Sequence, residues 1–194
     1  MFAVLDVRAS VVKVRVLTAA SVQGVKSQLT YVIHGTGDVL LEYQVSLEED
    51  LPPLARVGVT LTVPEDYGIF TWYGRGPHES YVDRKTGAAV DVYRSTVDEE
   101  YVPYVKPQEF GNKTDVRWAA LTGADDTGLL AVGMPLLEVS AHRYTAHDLA
   151  AAKHTYQLKP RREIVLNLDL AQSGLGSASC GPGVLPAYQL TAAG

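Results

Sequence analysis

The sequence predicts an all-β protein, an antiparallel β-sandwich with one short helix. Three observations carry that expectation. Runs of seven to nine residues alternate apolar and polar with period two, the signature of strands with one face on a core and one toward water. Short clusters of Gly, Asp, Pro and Thr punctuate the runs as tight turns. Only one stretch has the features of a helix, so crossover helices between parallel strands are missing from the pattern.

The strands can be taken in order. "VVKVRVL" and "SQLTYVIHG" open the chain. In "VLLEYQVSL", Val39, Leu41, Tyr43, Val45 and Leu47 share a face opposite Glu42, Gln44 and Ser46. In "RVGVTLTV", Val57, Val59, Leu61 and Val63 alternate with Gly58, Thr60 and Thr62. "IFTWY", "DVRWAALTG" and "GLLAVGMPLLEVSAH" follow, and within them Trp72 and Trp118 read as buried side chains. In "EIVLNLDL", Ile164, Leu166, Leu168 and Leu170 define the core face, and Val165, Asn167 and Asp169 the solvent face. "VLPAYQLTA" is a last strand candidate. Turns are expected at "HGTGD", "GADDTG" and "KPRR". The helix is "TAHDLAAAKH": Thr145 can cap it, Asp148 completes a capping box and the alanines favour it.

Bulk properties narrow the function. The chain has 194 residues, enough for one sizeable core, and is expected to form a single domain, residues 1–194. Net charge is −5 with no Lys/Arg run, which argues against a nucleic-acid partner. One cysteine, Cys180, precludes an intrachain disulfide and fits a reducing compartment. No apolar run has the length of a membrane span, and "MFAVLDVRAS" lacks the features of a signal peptide. A strand so near the start suggests a fragment of a larger protein.

The most unusual stretch is "WYGRGPHESYVDR", Trp72 to Arg84. "GRGP" lacks both GxGxxG and a Lys-Ser/Thr pair, so it is read as a backbone turn and not a phosphate loop. Glu79 and Asp83 are two carboxylates on one turn, but a retaining glycosidase needs its pair about 5–5.5 Å apart across the scissile bond, which this spacing does not establish. The plainer expectation is that Arg75, Arg84 and Arg117 pair with Glu79, Asp83 and Asp115 in a polar layer. His142, His147 and His154 match no standard zinc spacing, and no GxSxG elbow supports a serine nucleophile. Cys180 sits in a Gly/Ser-rich loop, "GSASCGPG", of the kind used where something approaches closely.

Five ordered blocks carry a resemblance. "LPPLARVGVTLTVP", "WYGRGPHESYVDRKTGAAVDVY", "YVPYVKPQEFGNKTDVRWAAL", "YTAHDLAAAKHTYQL" and "LDLAQSGLGSASCGPGVLPAYQL" resemble, in this order, the C-terminal small-chain domain of glycoside hydrolase family 2, lactase-type β-galactosidases. The resemblance implies a supersandwich similar in fold to galactose mutarotases. It implies a parent enzyme that hydrolyses terminal β-galactosides with retention, and whose two catalytic glutamates lie in a TIM barrel that this chain lacks. No catalytic residue is therefore expected in this chain, and the isolated domain is expected to be inactive. The family's loop at the mouth of the active site maps onto Gly174–Pro182. Cys180 stands near the position of a sugar-facing tryptophan, in a loop one residue shorter. Substrate-facing residues are accordingly expected among Ser177, Ser179, Cys180 and Gly181, with Arg75, His78 and Glu79 as a second candidate groove. The remaining domains of the enzyme are the expected partners, and the galactoside is reached only through the full-length enzyme. No cofactor is expected in this domain; a divalent metal belongs, if anywhere, to the rest of the enzyme. The resemblance further implies a bacterial cytoplasmic location. A stand-alone carbohydrate-binding or mutarotase-like domain is the alternative function.

Overall fold

A computed structural model describes residues 2–19, 24–48, 51–177 and 181–191. It contains ten strands in two antiparallel sheets and one short α-helix among the described residues, the all-β class expected. The chain divides into two compact units, residues 1–53 with 191–194, and residues 54–190.

The first unit is a meander of β1 (Phe2–Arg8), β2 (Val11–Ala19), β3 (Val25–His34) and β4 (Val39–Leu47), neighbours in sequence and in space. The turn between β3 and β4 is the expected "HGTGD". His34 donates its backbone N–H to the Asp38 carbonyl at 2.9 Å, and Gly37 adopts φ +97°, a left-handed conformation suited to glycine. Along β4 the predicted alternation appears from Leu41 on: Leu41, Tyr43, Val45 and Leu47 are half-buried and Glu42, Gln44 and Ser46 exposed, while Val39, expected on the same face as Leu41, is exposed at the strand's start.

The second unit is a six-stranded sheet in the order β5-β10-β9-β8-β6-β7, made from β5 (Arg56–Val63), β6 (Ile69–Gly76), β7 (Ala89–Thr96), β8 (Lys113–Thr122), β9 (Gly128–His142) and β10 (Ile164–Gln172). The last strand, β10, enters between β5 and β9, so the end of the unit is tied to its beginning. The core lies on one face of this sheet. Phe70, Trp72, Ala119, Leu121, Val139, Ala141, Ile164 and Leu166 are buried there. Trp72 is paired in register with Ala119, a small residue that leaves room for the indole, and stacks on Phe70 at 4.8 Å and on Tyr93 at 5.4 Å.

The two tryptophans part company here. Trp118 lies one residue from Ala119 and therefore points to the opposite face of β8. It is half-buried, paired in register with Tyr73 and Val132, so the expectation that it belongs to the core is corrected. A second correction concerns β10, where Val165, Asn167 and Asp169 are buried instead of solvated and Leu170, expected on the core face, is exposed. Asn167 is satisfied by the hydroxyls of Thr60 at 2.9 Å and Ser140 at 3.0 Å, so this buried amide is compensated. A third concerns "VLPAYQLTA": it forms a single 3₁₀ turn at Pro186–Tyr188 and one bridge, Leu190 to Leu54, because Pro186 removes a ladder donor.

The helix α1 (Ala146–Ala151) has the capping box read from the sequence: the Thr145 hydroxyl accepts from the Asp148 N–H at 3.1 Å, and the Asp148 carboxylate accepts from the Thr145 N–H at 2.8 Å. Arg161 grips the same carboxylate through Nε at 2.6 Å and Nη2 at 3.0 Å. These bonds, from Arg161 first and Thr145 second, hold the Asp148 carboxyl well below the usual carboxylate range.

Candidate functional site

The signature Trp72–Arg84 starts as the end of β6 and leaves the sheet at Gly76–Pro77, a cis peptide. Gly76 cannot be replaced by a larger residue without movement: a Cβ there would lie 2.7 Å from the Tyr93 ring and 3.0 Å from the Trp72 ring. Trp72 fixes the turn from below, since its Nε1–H donates to the Arg75 carbonyl at 2.9 Å. Lys113, whose side chain is almost wholly buried, places its ammonium 4.5 Å from the Trp72 ring centre. That ammonium pairs with Glu100 at 2.5 Å and donates to the Pro77 carbonyl at 2.8 Å. Burial lowers the Lys113 ammonium below its ordinary range, and the Glu100 carboxylate offsets part of that.

Beyond the turn, two polar clusters form. In the first, Arg75 donates through Nε to Asp115 at 2.5 Å and through Nη1 to the carbonyls of Ala88 at 2.8 Å and Lys85 at 3.2 Å. Lys85 meets the other Asp115 oxygen at 2.9 Å. Burial alone would raise the Asp115 carboxyl; the bonds and charges of Arg75 and Lys85 overcome it and hold the group low. In the second, Glu79 accepts from Arg84 and from the Tyr104 hydroxyl on one oxygen, and from the Gly111 N–H at 2.7 Å on the other. His78, Glu79, Arg84, Thr86 and Gly87 line an open groove of about 410 Å³.

The expected polar layer is therefore real for Arg75–Asp115 and Arg84–Glu79, and different for the other two members. Arg117 donates to the Asp115 carbonyl at 2.5 Å and lies 5.3 Å from the Tyr73 ring centre, a contact with an aromatic face in place of an ion pair. Asp83 pairs with no arginine among the described residues. Its carboxylate accepts the backbone N–H of Gly176 at 2.7 Å. Gly174 is forced to be glycine by the same side chain, for a Cβ there would stand 2.5 Å from Asp83 Cγ. Asp83 thus clamps the base of the Gly174–Pro182 loop.

Further bonds hold that base. Gly174 N–H donates to the Tyr188 carbonyl at 2.9 Å, and Ser177 N–H donates to the Pro182 carbonyl at 3.2 Å, drawing the two arms together. Ser173 accepts the Leu190 N–H on its hydroxyl at 2.7 Å and donates to the Leu54 carbonyl at 2.8 Å. Of the loop residues expected to face substrate, Ser177 and Gly181 sit on these arms, while Ser179 and Cys180 lie outside the described residues. Of the second set, His78 and Glu79 line the groove, and Arg75 is spent on Asp115.

A third assembly has no local signature in the sequence. Behind β9 and β10, Arg56 pairs with Glu109 at 2.8 Å and with Asp169 at 3.5 Å, and Asn112 donates to Glu138 at 2.8 Å. Burial pushes the Asp169 carboxyl up to about 6 against the pull of Arg56, and pushes Glu138 up to about 7 against its bond from Asn112. Glu109 and Asp169 share one guanidinium, so the two buried carboxyl groups cannot both ionise cheaply. No group of three or more His, Cys, Asp or Glu side chains among the described residues is arranged to hold a metal ion. Among them, no helix is long and apolar enough to cross a membrane.

An all-β unit built around a Trp-Tyr-Gly-x-Gly-Pro turn and a clamped glycine loop is the class of domain that the sequence resembles. The match is direct: the family model described as "Beta galactosidase small chain" covers residues 3–194, and the chain belongs to that family. A relative named Beta-galactosidase from Priestia megaterium is 38% identical over 148 residues, 76% of this chain and 14% of the relative. One from Vibrio cholerae is 38% identical over 171 residues, 86% of this chain and 16% of the relative. One from an Arthrobacter species is 33% identical over 200 residues, covering 89% and 19%. The chain thus spans less than a fifth of the length of these relatives.

Proposed function

We propose that this chain is a structural and active-site domain of a retaining β-galactosidase that hydrolyses terminal β-D-galactosides. The family match along residues 3–194 carries this reading. The catalytic glutamates lie in a TIM barrel outside this chain, and this domain completes the mouth of the active site with the Gly174–Pro182 loop. The clamp on that loop supports the assignment: a carboxylate and two backbone hydrogen bonds fix the base of a segment whose described residues form no strand. Positioning of this kind matters in catalysis because small misplacements of a substrate contact cost rate. His78 and Glu79 are the second candidate for sugar contact. Glu79 is fully engaged by Arg84, Tyr104 and Gly111, so it serves to hold the groove and not to exchange protons.

The test is turnover of a chromogenic β-galactoside by two preparations: the 194-residue chain, and the full-length polypeptide that carries it. The expected result is hydrolysis with retention by the full-length protein and none by the chain alone. Turnover by the purified chain would place the catalytic pair inside it and overturn the proposal. A full-length protein inert toward β-galactosides but active on another glycoside would correct the substrate.

A further inference from the structure

A cavity of about 170 Å³ opens at the far end of β9, away from the clamped loop's anchor at Asp83, and no role described above uses it. Its wall includes Asp98, Tyr101, Phe110, His142, Arg143 and Tyr144, all from the second unit. The rings form one aromatic cluster. Phe110 meets His142 edge-on at 4.4 Å and Tyr101 edge-on at 5.2 Å, and Tyr101 lies 5.6 Å from Tyr144. Edge-on packing fixes each ring against the next.

The wall has no net charge. Arg143 donates through Nε to Asp98 at 3.1 Å, so the one cation and the one anion cancel. His142 is buried, and burial with the nearby Arg56 and Lys113 charges drives its imidazole down to about 3, so it is neutral in use. The wall is not apolar either. His142 Nδ1 is buried without a hydrogen-bond partner, and the hydroxyls of Tyr101 and Tyr144 make no hydrogen bond among the described residues. The buried imidazole nitrogen is costly unless something supplies its bond, and the hydroxyls of the half-buried tyrosines are free to bond a ligand. A charged ligand finds no counter-charge here, and a hydrocarbon leaves the hydroxyls and the imidazole unpaired.

We propose that this cavity is a binding site for one uncharged pyranose ring, separate from the loop and from the groove at His78. A pyranose has an apolar face of C–H bonds, polarised positively, that suits the electron-rich face of Tyr101 or Tyr144. Its rim of hydroxyls can both donate and accept, matching the tyrosine hydroxyls, the imidazole nitrogen and the Arg143–Asp98 pair. The volume equals about five or six waters, which admits one monosaccharide unit and excludes a longer saccharide lying flat. The site goes beyond the proposed galactosidase reading and does not depend on it, because every residue it uses lies in this chain.

The experiment is saturation-transfer NMR with methyl β-D-galactopyranoside on the folded 194-residue chain, with the aromatic side-chain resonances followed in parallel. The expected result is transfer strongest to the ring C–H protons. Resonances of Tyr101, His142 and Tyr144 should shift with added sugar, while those of His34, at the exposed end of β3, should not. Tyr144→Leu should weaken binding by about fivefold through loss of a stacking ring, and Tyr144→Phe, which keeps the ring, should weaken it less. His34→Ala, at the exposed end of β3, should have no effect. Absence of transfer overturns the proposal, as do shifts confined to His78 and its neighbours. Equal binding by wild type and Tyr144→Leu, with shifts away from the cavity, overturns it too. Should Tyr144→Leu fail to fold, the wild-type shift pattern alone decides. Hydrolysis by the full-length enzyme bears on the galactosidase reading and leaves this test untouched.

Discussion

Trp72 and Trp118 sit on adjacent strands, one register pair apart, and do opposite things. Trp72 is 1% exposed, stacked between Phe70 and Tyr93, covered by the Lys113 ammonium and bonded through its indole N–H to the turn that follows. Trp118 is half-buried on the other face, beside Tyr73 at 6.5 Å and the exposed Val132. Period-two alternation shows which residues share a face but does not say which face is the core. The signature turn is thus bolted to the core through Trp72, while Trp118 lies half-exposed on the opposite face of the sheet.

The largest expected effect sharpens that contrast. Trp72→Ala should destabilise the protein by about 3–5 kcal/mol, because it empties a full indole from a closed core and frees the turn. Urea unfolding would measure this, and a loss under about 1 kcal/mol would mean that the Trp72 face is not the core. The next effect concerns the cation over Trp72. Glu100→Ala strands the Lys113 ammonium in the interior and should cost about 3 kcal/mol. Replacing both, Glu100→Leu with Lys113→Met, should recover most of that loss, since no charge is then left buried. A double variant as unstable as the single one would show that the pair acts through shape and not through charge.

A smaller effect is expected from pH. The folded-state Glu138 carboxyl is raised to about 7 from an ordinary value near 4.5. The folded state therefore holds a proton that the unfolded state has released, and the stability this gives is present at acidic pH and lost as pH rises through about 7. His142 works the other way: it is neutral when folded, so the unfolded state takes up protons below its ordinary range and stability falls there. The two are separated by subtraction. Between pH 6 and 8 wild type should lose about 1 kcal/mol relative to Glu138→Gln. Parallel stability curves would show that Glu138 titrates at its ordinary value. The smallest effect closes the comparison with which the two tryptophans began: Trp118→Ala should cost about 1 kcal/mol or less, because its half-exposed ring loses little burial. A loss near that of Trp72→Ala would erase the distinction between the two faces.

Much of this was legible in the sequence, and the rest was hidden for physical reasons. Local patterns gave the alternation along β4, the "HGTGD" turn and the Thr145–Asp148 capping box, because each depends on residues within one or two turns of the chain. β7 escaped notice because Val90, Val92 and Arg94 alternate with Asp91 and Tyr93 without a clear apolar face, and most of that strand is exposed. The buried polar face of β10 escaped because Asp169 and Asn167 look like solvent-facing residues until Arg56, Glu109, Thr60 and Ser140 are brought to them from elsewhere in the chain. Among the candidate site residues, Asp83 shows the limit best. Its type and position suggested an ion pair within the signature, and its actual partner is a backbone N–H 93 residues away in sequence. Nothing local to "YVDR" could name that partner, although the Gly-x-Gly at 174–176 carried the matching demand for small residues.

Asp83 also offers the most direct test of the central claim, that this domain places a loop at a galactosidase active site. In the full-length enzyme, Asp83→Ala removes the acceptor for the Gly176 N–H and leaves the core untouched. The measurement is kcat and KM on a chromogenic β-galactoside beside the thermal midpoint of the same variant. The expected result is a fall in kcat/KM of about tenfold or more, because a displaced contact at the reacting sugar is costly, with a stability loss of only about 1–2 kcal/mol from one charge-assisted hydrogen bond. Unchanged kcat/KM in a variant with that modest loss of stability would contradict it, and would leave the loop a structural element of this domain alone.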